Sequence, residues 1–164
     1  MSIALLTVAL VGTFSLLLAM LCGYRVPGAP AAFMRSHFLL SLLSTLLLVM
    51  AHSFVMFFLI ATGVEMKELE SKNGWGDSFR RRTVAIKGRV FPAMTLALLL
   101  VIANFMLGAA VHTRALPAPV HEGLAWLTFV VCAYALFREW QVLGENNRLI
   151  AEIGVRGRQQ ERPI

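Results

Sequence analysis

Residues 38–64, FLLSLLSTLLLVMAHSFVMFFLIATGV, form an almost unbroken apolar run with His52 near its middle. About 20 consecutive apolar residues cover the roughly 30 Å hydrocarbon core of a bilayer, so this stretch is predicted to cross a membrane. An ionisable side chain inside such a helix is expensive to bury and marks a functional position by default.

Working outward, three more apolar runs occur at about residues 3–22, 90–111 and 123–137. The first lacks the basic n-region of a signal peptide and is longer than its usual h-region of about 7–15 residues, so it is expected to stay in the mature chain. Apolar residues make up 58% of the chain and charged residues 15%, well below the roughly 25% charged of soluble domains. The mean hydropathy of +0.72 points the same way. A net charge of +6 would suggest nucleic acid in a soluble protein. Here the cations flank the spans, so membrane topology accounts for them and no nucleic-acid partner is expected. Cys22 and Cys132 have no CxxC spacing and read as small apolar residues in or beside spans.

The expected fold is all-α: an integral membrane four-helix antiparallel bundle with cytoplasmic helical extensions. Residues 1–154 form the transmembrane domain and residues 155–164 a polar, frayed tail. Pro27, Gly28 and Pro30 mark an irregular first loop, and Pro117 and Pro119 break the chain in the third. The middle loop, residues 65–89, carries Lys67, Lys72, Arg80, Arg81, Arg82, Lys87 and Arg89, and the tail adds Arg138, Arg148, Arg156, Arg158 and Arg162. The other two loops hold only Arg25, Arg35 and Arg114. The positive-inside rule then puts both termini and the middle loop in the cytoplasm, with a bacterial inner membrane the expected location. Residues 65–72 prolong the second helix, with Glu68 and Lys72 at i,i+4 spacing, and Trp75 in the following turn is expected at the membrane interface. Trp140, Leu143, Ile150 and Ile153 recur at helical spacing, which carries the fourth helix beyond the membrane. Arg80, Arg81 and Arg82 suit anionic head groups, although topology alone explains them, so membrane lipids are expected partners.

With this topology His37, His112 and His121 gather at the outer face, an arrangement suited to copper or zinc. Interfacial histidines at helix ends account for the same pattern without a metal. His52 lies about 22 Å deeper, in the inner leaflet, where no other histidine reaches. On its face of span two, His37, Ser41, Thr45, Leu48, His52 and Met56 recur at three- and four-residue steps. Span three offers Ala93, Ala97, Val101, Asn104, Gly108 and His112 at similar steps. Small residues at such spacing allow close helix packing or the approach of a flat cofactor. The expected cofactor site is therefore His52, Met56, Asn104 and Ala97 around non-covalent haem b, with His37, His112 and His121 as a metal site. Electron transfer in the membrane is the corresponding function; a non-catalytic assembly subunit or an outer-face copper or zinc protein are the alternatives. No GxGxxG, Walker-type loop, CxxCH or serine–histidine arrangement is present. The lack of a histidine at the depth of His52, with the small-residue seams, leads us to expect a homo-oligomer or a larger membrane complex.

The topology yields the first prediction. In a chain freed of Cys22 and Cys132, an impermeant thiol reagent added from outside should label Ala118→Cys and leave Ser78→Cys protected. The opposite labelling pattern would invert the assignment.

Overall fold

The computed structural model describes residues 2–26 and 31–160. Four helices follow in order: α1 (Ser2–Gly23), α2 (Ala31–Asn73), α3 (Ser78–His112) and α4 (Ala118–Gln160). Each is long and apolar enough to cross a membrane, and no strand occurs among the described residues. The first loop's Pro27, Gly28 and Pro30 fall outside the described residues.

The helices stand in a ring, with α1 against α2, α2 against α3, α3 against α4 and α4 against α1. α2 and α4 face each other across the diagonal with few contacts. Ala125, Thr128, Cys132, Ala135, Glu139, Val142, Asn146, Leu149 and Ile153 form the stripe that turns α4 inward, with Leu143 buried beside Val142. The stripe alternates three- and four-residue steps, the signature of helices packed as a supercoiled bundle. One apolar cluster, including Leu16, Leu48, Ala97, Val101 and Cys132, fills the half nearer the helix ends that carry His37, His112 and His121. A second, including Val55, Phe79, Val90, Met94, Leu143 and Leu149, fills the half nearer the basic loop.

At about 1.5 Å per residue α2 and α4 are each about 65 Å long, twice the hydrocarbon thickness, whereas α1 is about 33 Å. Past the end of α1, α2, α3 and α4 continue as a three-helix assembly with Met66, Phe79, Leu149 and Ile153 inside. The fourth helix continues to Gln160, so residues 155–160 are helical rather than frayed as the sequence suggested. Ile153 anchors this end, and Arg156 lies over the Trp75 ring at 5.1 Å. Trp75 is thereby held against α4 and Phe79.

The α2–α3 turn passes through Gly74 and Gly76, whose φ values of 65° and 80° suit residues without a Cβ. Asp77 makes no capping bond. The start of α3 is satisfied instead by Glu70 of α2, 3% exposed, which accepts from the Phe79 N–H at 2.6 Å and the Arg80 N–H at 3.1 Å. A carboxylate at a helix N-terminus also meets the positive end of the helix dipole.

Glu70→Ala leaves the buried Phe79 amide without an acceptor. It is expected to cost about 1–3 kcal/mol and to raise hydrogen exchange over residues 78–82. Asp77→Ala removes only the exposed pair with Arg81, so thermal unfolding in detergent should change by less than about 0.5 kcal/mol. Equal effects from the two substitutions would rule out Glu70 as the cap.

Candidate functional site

Two polar centres stand out, one buried in the bundle and one opening at the end opposite the basic loop. In the first, His52 of α2 and Glu139 of α4 are both 0% exposed, and the His52 Nδ1–H donates to Glu139 Oε1 at 2.5 Å. The second ring nitrogen, Nε2, and the second carboxylate oxygen, Oε2, are buried without a hydrogen-bond partner. Val55, Met94 and Ala97 are fully buried in the two apolar clusters that adjoin this layer.

This geometry corrects two expectations. His52 does have a partner at its depth, a carboxylate, so it supplies no reason for a second copy of the chain. Nor do the four residues His52, Met56, Asn104 and Ala97 form one pocket. His52 and Ala97 are sealed at 0% exposure, Met56 packs beside the cluster nearer the basic loop, and Asn104 opens into the other centre. A haem would need its plane against His52 Nε2, yet that atom has no accessible surface even for water. Haem does not fit at His52.

The second centre is a cavity of about 800 Å³ between the ends of all four helices, lined by His37, His112 and His121 among others. That volume falls in the range of about 300–1,000 Å³ typical of small-molecule and cofactor sites. Asn104 forms part of the deep wall, its Oδ1 buried without a donor. His37 and His121 are half-buried and face each other, ring centroids 6.5 Å apart and planes at 83°. Ala19 and the glycines fix the rings. His37 Nδ1 lies 2.8 Å from the Ala19 carbonyl oxygen, to which its N–H donates. A Cβ on Gly23 would stand 3.1 Å from His37 Cε1, and one on Gly108 would stand 3.3 Å from His121 Cε1. Both glycines therefore make room for an imidazole.

His112 also lines the cavity but is exposed at its rim. Among the described residues no three His, Cys, Asp or Glu side chains gather to hold a metal ion. The three outer histidines share one cavity, and only His37 and His121 pair. At the mouth, Tyr24 donates to Glu122 Oε1 at 2.5 Å and accepts from Trp126 Nε1 at 2.8 Å. The hydrogen bond to the Glu122 carboxylate raises the phenol above its ordinary pKa. Arg114, in a left-handed backbone conformation with φ 60°, adds a cation to the lip.

Glu139 escaped the sequence reading because the apolar run of the fourth span ends at Phe137. The signal was present in the spacing: Cys132, Ala135, Glu139 and Val142 continue one helical stripe. Tyr24 and Trp126 carried no signal, since their meeting with Glu122 joins the end of α1 to α4 about 100 residues away. No protein-family model, curated protein or solved structure matches the chain.

Removing one member of a buried ion pair strands the other, at about 3–5 kcal/mol, whereas replacing both by apolar residues is often tolerated. His52→Leu and Glu139→Leu should each sharply lower thermal stability in detergent, and the double variant should recover most of the loss. A double variant less stable than either single one would show that the two side chains do not act as a pair.

Proposed function

We propose that this protein is a small membrane haem b carrier that moves single electrons, in which His37 and His121 would hold the haem in the outer cavity. The observation that carries this reading is the isolated histidine pair across the cavity. Metal–nitrogen bonds of about 2 Å on either side, plus the half-width of each imidazole, sum to roughly 6.5 Å between ring centres. His37 and His121 stand at that separation, 6.5 Å.

The size of the donor set favours haem over a bare ion. Structural zinc takes four protein ligands and catalytic zinc three. A two-histidine set instead suits a metal that brings its own equatorial nitrogens, as a porphyrin does. The bond from His37 Nδ1 to the Ala19 carbonyl leaves Nε2 as the coordinating atom and fixes the ring, the usual role of such an outer partner. Arg114 at the lip suits the carboxylates of the haem edge. When bound, haem supplies a one-electron couple, and the apolar walls from Leu16, Met20 and Ala125 exclude water from it. By the positive-inside count the cavity opens away from the cytoplasm. A purely structural subunit explains the His52–Glu139 pair, but leaves a cavity of this size and the histidines across it unaccounted for.

The test is the visible spectrum of detergent-purified protein supplied with haem. A six-coordinate low-spin spectrum is expected, with the anisotropic electron paramagnetic resonance signal of two nearly perpendicular imidazole planes. His37→Ala and His121→Ala should each abolish it, giving a five-coordinate spectrum or no Soret band. The His52→Leu/Glu139→Leu double variant should retain the wild-type spectrum. No Soret band in the wild type, or one insensitive to both outer substitutions, would refute the proposal.

A further inference from the structure

The α2–α3 face holds a second hollow of about 810 Å³, open on the side and lined by Ile60, Lys87, Gly88, Pro92, Leu96 and Leu99 among others. Its walls are apolar, and Leu96 and Leu99 are exposed outward. Gly88 helps to make it, since nothing lies within 4 Å of the position a Cβ would take there.

One cation sits at its head. Lys87 is half-buried across α2, its Nζ 3.0 Å from where a Cβ on Gly63 would stand. It makes no hydrogen bond or ion pair among the described residues, unlike Arg82 and Arg89, which pair with Glu152 and Glu145. A half-buried ammonium without an acceptor calls for an anion. On the same stripe of α3, Arg80 lies two turns further out; on α2, Lys67 follows Ile60 at the same interval.

Depth identifies the anion. Gly12 packs against Leu48 and Gly23 against His37, so the antiparallel register of α1 and α2 puts Ser2 level with Phe58. The apolar run of α2 ends at Val64, before Glu65, so Gly63, beside Lys87, lies at head-group level. From Lys87 to Leu99, α3 rises about 18 Å, close to the roughly 15 Å of one hydrocarbon leaflet. The hollow thus runs from the head-group layer to the mid-plane, with its charge at the outer end.

We propose that this hollow binds one anionic phospholipid, with an acyl chain along Phe91, Pro92, Leu96 and Leu99 and the phosphate on Lys87, assisted by Lys67 and Arg80. This site lies on a different face from the histidine cavity and does not depend on haem binding.

Native mass spectrometry of the full-length protein in mild detergent tests it, with phosphatidylglycerol, phosphatidylcholine or inorganic phosphate added. One phosphatidylglycerol should remain bound after activation that strips phosphatidylcholine. Lys87→Gln should weaken its retention about five-fold, and Gly88→Leu, which fills the hollow and leaves every charge in place, should weaken it as well. Equal retention of the two lipids by the wild type, or unchanged phosphatidylglycerol retention in both variants, would overturn the proposal. So would displacement of the lipid by inorganic phosphate alone, which would assign Lys87 to a free anion.

Discussion

The bundle depends on one contact made across its diagonal, the fully buried pair of His52 and Glu139. α2 and α4 share little other surface, so apolar packing between them cannot set their relative height. A buried hydrogen-bonded pair can, because a slip of either helix leaves a carboxyl group and a ring nitrogen unpaired in an apolar layer. A second polar bond on the same diagonal, from the Thr62 hydroxyl to Asn146 Oδ1 at 3.2 Å, repeats the constraint toward the basic end. Buried ion pairs seldom add net stability over apolar residues of equal volume. Their contribution here is to specify register, at the expense of leaving His52 Nε2 and Glu139 Oε2 unbonded.

That register reaches the histidine cavity. His37 is carried by α2 and His121 by α4, the two helices that the diagonal contact ties together. The separation of their rings is therefore a property of the whole bundle and not of the loops beside them. The local fittings, the Ala19 carbonyl under His37 and the glycines beside each ring, orient the imidazoles once the helices are set. The Tyr24–Glu122–Trp126 chain then closes the rim between the first loop and α4.

Much of this was legible in the sequence, for a definite physical reason. A bilayer imposes length and hydropathy on every span, so the four helices follow from apolar run length. The convergence of His37, His112 and His121 at one end followed from topology alone. Hydropathy averages over the faces of a helix, however, and it hid Glu139: the carboxylate lies just past an apolar run, yet points inward on the stripe of Cys132 and Ala135. Choosing His37 and His121 over His112 needs side-chain directions, which spacing at helix ends does not supply. The helical order of residues 155–160 depends on Ile153 and the stacking of Arg156 on Trp75, contacts with a turn distant in sequence.

The ties that close this bundle also set an order of biogenesis. Its polar bonds join early and late parts of the chain: His52 to Glu139 over 87 residues, Thr62 to Asn146 over 84, and Ser2 to Asn147 over 145. A ribosome delivers α2 to the bilayer long before α4 exists, so His52 enters lipid with no carboxylate to meet it. The first three helices can pack on one another but leave these polar groups without their partners. Arrival of Glu139, Asn146 and Asn147 on a single helix supplies all three missing partners together. The native bundle is thus completed only once α4 is in place to meet these groups.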